Sequence, residues 1–219
     1  MIRTLRFLGV AVIAALAMSS MLASIASADD LTAESYPVTL TGNEDGTPGI
    51  AVTHGGEIKC TTVKVQGTLK EASTTITLTP SVSGCTFAGL SATANFNGCD
   101  FLVHIDGEGK TTGSVDAVCP AGKEITLTAP SVGTAKCILH APAQTGVRLG
   151  TGTNIGAGAT REVTLHLNLT GVKYSQTAGT AETGNCATAD NTTNGSFTSK
   201  ALATGENETT GAHIGIFLS

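Results

Sequence analysis

The residues of this 219-residue chain that could do chemistry are six cysteines, five histidines and a few carboxylates, and their spacing limits what each set can do. Cys60, Cys85, Cys99, Cys119, Cys137 and Cys186 form no C-x-x-C pair and have no histidine at ligand spacing, so a thiolate metal centre is not expected. The even count points instead to three disulfides made in an oxidising compartment. Connectivity is open in principle, but hairpin geometry favours one scheme. If 58–68 pairs with 73–83 around a turn at Glu71 and Ala72, Cys60 falls beside Cys85. If the segment from Phe101 to Ile105 pairs with 112–118 around Gly107-Glu108-Gly109, Cys99 falls opposite Cys119, and Cys137 is left for Cys186.

His54, His104, His140, His166 and His213 stand singly, without an H-E-x-x-H or H-x-H pairing. His104 and His166 fall on polar strand faces, where two imidazoles on neighbouring strands could meet. No G-x-S-x-G turn offers an activated serine. Glu57, Asp100, Asp116, Glu124 and Glu162 sit near strand ends, where carboxylates usually solvate an edge. A glycosidase would need two of them facing a cleft, beside aromatic platforms that two tyrosines and six phenylalanines supply poorly. Gly109-Lys110-Thr111 looks like the end of a phosphate loop, but His104 stands where the first glycine is required. Gly150, Gly152, Gly156 and Gly158 lack the strand-to-helix unit of a dinucleotide site and read as a flexible loop over 150–160. Asn43-Glu44-Asp45-Gly46 and the stretch from Asp190 to Asn194 carry oxygen ligands for calcium without completing a known loop. No catalytic residue, cofactor or metal site is therefore expected.

The elements that would position these residues alternate with period two. Val163, Leu165, Leu167 and Leu169 interleave with Thr164, His166, Asn168 and Thr170, and Phe101, Val103 and Ile105 repeat the device. Such alternation predicts half-buried strands, and threonine, the commonest residue, suits a pleated surface with a wet outer face. Turn clusters are read at 42–46, 106–109 and 191–195. The expected fold is all-β, an antiparallel sandwich or a Greek-key or meander domain stapled by disulfides, with the strand around Ile214, Ile216 and Leu218 built into the sheet. Without tryptophan the core should be aliphatic. Phe217-Leu218-Ser219 could suggest an outer-membrane barrel, but the strands lack the aromatic girdles of that class.

Arg3 and Arg6 precede an apolar run from Phe7 to about Ala17, and small residues lead to Ala26-Ser27-Ala28. This is the layout of a signal peptide over 1–28, cleaved after Ala28 to leave one extracellular domain over 29–219. Cleavage would leave 10 basic against 17 acidic residues. That acidic balance disfavours nucleic acid and anionic lipid as partners. No later segment is long and apolar enough for a spanning helix, so stable membrane insertion after cleavage is not expected, and the absence of an L-P-x-T-G signal argues against covalent wall attachment.

Ser83-Gly84-Cys85, Ala94-Asn95-Phe96-Asn97-Gly98-Cys99 and Cys119-Pro120-Ala121-Gly122-Lys123 resemble segments of uncharacterised exported Thr/Gly-rich, six-cysteine β proteins from high-GC Gram-positive bacteria. The resemblance implies a secreted or cell-envelope location and a fold style, and carries over no catalytic residue. The function expected is a non-enzymatic structural, adhesive or ligand-binding module whose partner is an extracellular ligand or a cell-surface component. The alternatives are a hydrolase built from separated strand ends and an inhibitor or effector. The loop 150–160 and the turns near Asp106 and Asn191 are the expected places for recognition.

Overall fold

The computed structural model describes residues 30–46, 49–53, 56–87, 89–106, 113–130, 136–178 and 189–219. After the short strand β1 (Leu31–Ala33), the chain makes eight long strands that run alternately up and down. The first is β2 (Val38–Glu44) continued by β3 (Gly49–Thr53), and the second and third are β4 (Gly56–Leu69) and β5 (Thr75–Phe87). Three more are each broken near the middle: β6 (Leu90–Asn95) leads into β7 (Asp100–His104), β8 (Gly113–Val118) into β9 (Ile125–Pro130), and β10 (Lys136–Ala141) into β11 (Gln144–Ile155). The last two, β12 (Glu162–Ala178) and β13 (Ala189–Asn207), are continuous.

Each long strand pairs antiparallel with the next in sequence, as in Ile76↔Val103, Val103↔Val115 and Leu165↔Ala201. The last then returns to the first, with Leu40↔Gly205 and Ala51↔Phe197. The sheet is therefore a closed barrel, in which each of the eight long strands is paired on both sides among the described residues. Of the layouts open to the sequence, the meander is the one adopted, closed on itself.

Two disulfides lie where the hairpins predict. Cys60 and Cys85 are opposite one another on β4 and β5, and Cys99, just before β7, is bonded to Cys119, just after β8. Cys137 is disulfide-bonded and buried on β10, while Cys186, the partner expected for it, lies outside the described residues. So do the expected signal peptide and the 107–109 turn.

Three expectations need correction. Residues 191–195 are not a turn but part of β13, and 42–44 of the expected 42–46 turn belong to β2. The 150–160 segment is not one loop: β11 runs to Ile155, and a 3₁₀ turn at Gly158–Thr160 follows. The C-terminal residues form two strands, of which β14 (His213–Ile214) joins the barrel through β13 while β15 (Ile216–Leu218) pairs only with β1, in a separate two-stranded sheet.

The four broken strands interrupt the wall at one level, a waist, and side chains take over the hydrogen bonds that the backbone loses there. The Gln144 amide accepts the Lys173 N–H at 2.8 Å and donates to the Lys173 carbonyl at 3.2 Å, replacing a strand partner between β10 and β11. The Glu44 carboxylate accepts the Val63 N–H at 2.7 Å where β2 ends, and Asn97 donates to the Glu124 carbonyl at 2.8 Å. Gln144→Ala is expected to cost about 1 kcal/mol, since water can reach the freed groups. Denaturant midpoints measure that cost, and faster exchange of the Lys173 amide locates it.

At the same level the inward face changes phase. On β12 the inward residues are Val163, Leu165, Leu167 and Leu169, then Val172, Tyr174 and Gln176, with Thr170 and Gly171 both turned to solvent. Gly171 makes this slip at φ 75°, and Gly84 makes the matching one on β5 at φ 60°, in a backbone region that side chains disfavour. An extra residue in a strand shifts all later side chains to the other face. Without the slips, the apolar residues on one side of the waist would point into water.

The core accordingly falls into two clusters, one on each side of the waist. One contains Val38, Leu40, Ile76, Val103, Val147 and Val163, and the other Ile58, Phe87, Ala129, Leu139, Tyr174 and the Cys60–Cys85 bridge. The two-stranded sheet closes the barrel at the first cluster, where Leu31, Ala33, Ile216 and Leu218 are buried as a plug. The Asn154 amide grips it, accepting the Leu218 N–H at 2.7 Å and donating to the Leu218 carbonyl at 2.8 Å. Small residues make room for it: a Cβ on Gly205 would stand 2.6 Å from the Ile216 Cγ2, and one on Gly152 would collide with Leu218.

Candidate functional site

The inside of the barrel is apolar but not full. Many of its inward positions carry glycine or alanine, among them Gly42, Gly113, Ala117, Ala141, Ala201 and Ala203, and no tryptophan is present to span the gap. An eight-stranded barrel is just wide enough either to be filled by its own large side chains or to hold one small ligand. Here a continuous cavity of about 310 Å³ runs from Leu31, Ile216 and Leu218 of the plug, through the waist, to Ile58, Leu127 and Leu139 of the second cluster. A second void, of about 10 Å³ between Phe87, Leu127, Leu139 and Gln176, would take about one water.

The wall offers few polar groups, among them Thr53, Gln144, Thr151 and Ser196, and others are buried close behind it. Gln176 is 1% exposed, with its Oε1 accepting from the Thr53 hydroxyl at 3.3 Å, and the Tyr174 hydroxyl donates to Asn194 at 3.1 Å. Ser199, the register partner of Leu167, is buried, and its hydroxyl is the single buried side-chain polar atom without a hydrogen-bond partner among the described residues. Besides Tyr174, His104 and Asp106 are the titratable residues of the lining, and both stand where β7 ends.

Of the histidines and carboxylates singled out by sequence for chemistry, His104 borders the cavity and the others lie elsewhere. His104 faces a carboxylate rather than another imidazole, with its Nε2 3.1 Å from Asp116. The Gly146 N–H donates to the other oxygen of Asp116 at 2.7 Å, and Ser114 stands across the ladder from His104. Serine, histidine and aspartate are thus neighbours, but they sit on the convex outer wall, which provides no concavity to hold a substrate. His140 pairs with Glu124 at 2.5 Å near the waist, Glu57 pairs with Lys59 at 2.8 Å, and Asp100 accepts from the Thr79 hydroxyl at 2.8 Å. His166 and His213 are exposed, Glu162 begins β12, and His54 lies outside the described residues. No three metal-ligating side chains cluster among the described residues.

The Gly146 N–H, and after it the His104 side chain, hold the Asp116 carboxyl below the usual carboxylate range. A depressed carboxylate stabilises the fold above the ordinary carboxylate pKa of about 3.9, and that contribution is lost as pH falls through the lower folded value. Asp116→Asn should therefore be less stable than the parent at pH 7, and the difference should shrink near pH 3. Denaturant midpoints at the two pH values provide the check.

Sequence reasoning missed the lumen because its lining is spread over all eight strands. The available signal was the combination of many alternating strands with few large side chains to fill whatever they enclosed. No known family, characterised protein or solved structure matches the chain.

Proposed function

We propose that this protein is a secreted or cell-envelope binding module, without catalytic chemistry of its own, that carries an apolar small molecule inside its barrel. The observation that carries this reading is the continuous apolar cavity in a closed, disulfide-stapled wall. Ligand sites are typically concave, mostly apolar and largely pre-formed, in the range of about 300–1,000 Å³. The outer wall, with Glu57, Lys59 and Lys64 on β4, Thr75, Thr77 and Thr79 on β5 and Asn168, Thr170 and Lys173 on β12, supports passage through water with the ligand hidden. It has the reverse polarity of a membrane barrel, whose apolar band faces outward. The disulfides fit an exported protein, and no helix of the described residues is long and apolar enough to cross a membrane.

The test is titration of the folded protein with N-phenyl-1-naphthylamine, a neutral dye that fluoresces in apolar surroundings. Saturable enhancement at one dye per chain is the expected result. Enhancement that appears only after denaturation, or grows without saturating, would overturn the reading.

A further inference from the structure

The binding reading leaves open the shape of the ligand, and the cavity's dimensions address it. Resting on that reading, we propose that the lumen takes one extended, uncharged hydrocarbon chain of about twenty carbons, rather than a compact ring system or a charged amphiphile.

Length is the first argument. The inward residues of β12 from Val163 to Tyr174 all line the same cavity. At about 3.3 Å per residue and a strand tilt of about 40°, this stretch spans roughly 28 Å along the barrel axis. An extended hydrocarbon advances about 1.25 Å per carbon, from tetrahedral geometry with bonds near 1.52 Å, so roughly twenty carbons fill the length.

Shape is the second argument. The phase slips at Gly84 and Gly171 keep apolar side chains turned inward on both sides of the waist, so the space continues as a channel from one cluster into the other instead of ending as two chambers. A rigid ring system would fill a short stretch and leave the remainder empty. Charge is the third. Between the plug and the second cluster the lining has no lysine, arginine or glutamate, and its one aspartate, Asp106, stands where β7 ends. Away from the end of β7, a charged head drawn into this wall would lose its hydration without gaining a charged partner.

The experiment is displacement of N-phenyl-1-naphthylamine from the full chain by straight-chain 1-alkanols of 8 to 24 carbons delivered from cyclodextrin, with alkanoates, alkyltrimethylammonium salts and a sterol as further arms. Each added methylene should tighten binding by about fourfold, equivalent to about 0.8 kcal/mol, until the gain stops near twenty carbons. Alkanoates and ammonium salts of equal length should compete less well than the alkanol, and the sterol should compete poorly. Equal competition by short and long alkanols, or preference for the sterol or a charged head, would overturn the assignment of the chain. Failure of the dye itself to bind would instead remove the binding reading on which the assignment rests.

Discussion

Leu167→Trp is expected to weaken binding of a neutral apolar probe by about tenfold or more, a change of at least about 1.4 kcal/mol, whereas Asn168→Trp one position along should leave it unaltered. Leu167 lines the cavity between the inward positions Leu165 and Leu169, so a larger ring there occupies the volume that the ligand needs. Asn168 points outward on the same strand and is exposed. Alternation thus makes neighbouring residues a matched pair, one inside and one outside, with the same added surface. Overpacking costs about 1–3 kcal/mol in a full core and less where empty space receives the ring, so the variant should remain folded. Near-ultraviolet dichroism and a denaturation curve establish that, and fluorescence titration then reads the affinity. A folded variant that binds as tightly as the parent would place the ligand outside the lumen.

The second large effect is on stability. Changing Cys60 and Cys85 together to serine should lower unfolding free energy by about 3.5 kcal/mol, the loop-entropy value for a bridge closing 25 residues. The Cys99–Cys119 bridge, which closes 20, should contribute slightly less by the same argument. The two removals should differ in character. Cys60 and Cys85 are 6% and 4% exposed in the second cluster, so their replacement also places two hydroxyls against apolar neighbours. Cys99–Cys119 ties together the two connections at the waist, so its loss should first show as faster amide exchange around Asn97 and Glu124, whose hydrogen bond it holds in place. Urea denaturation of the two double variants measures the energies, and equal midpoints with the parent would show that the bridges add nothing to the barrel's own register.

Local pairing was legible in the sequence because its causes are local. The hairpins at Glu71-Ala72 and around 107–109 bring their flanking strands together within a few tens of residues, and from them two disulfide pairs follow. The run from Val163 to Leu169 shows one uninterrupted alternation and is one strand face. Closure was not legible, because it joins β13 to β2 and β3 across most of the chain, and an inward-facing alternation looks the same in a sandwich as in a barrel. Where the phase slips at the waist, the pattern ceases to alternate, and the residues responsible are glycine and small polar residues that also mark turns. That is why Asn191 to Gly195 read as a turn although β13 runs through it, and why Gly150 and Gly152 read as a loop although Gly152 makes room for Leu218. The lumen stayed hidden for a related reason: Gly42, Ala117 and Ala203 announce nothing singly, and they delimit a cavity only once eight strands face one another.

The pairing of β1 with β15 has a mechanical consequence. Asp30 and Ser219 are hydrogen-bonded to one another, the Ser219 N–H reaching the Asp30 carbonyl at 3.0 Å, at the open end of a short antiparallel ladder. Tension applied between these two residues loads the ladder one rung at a time, as in a zipper, rather than all rungs together in shear. The next interface in line, between β2 and β13, presents Val38 opposite Asn207 and is loaded in the same way. Pulled from its ends, the barrel should therefore yield at low force however stable it is at rest, shedding the plug before the wall. Extension should then halt where Cys60–Cys85 and Cys99–Cys119 lock the chain between them.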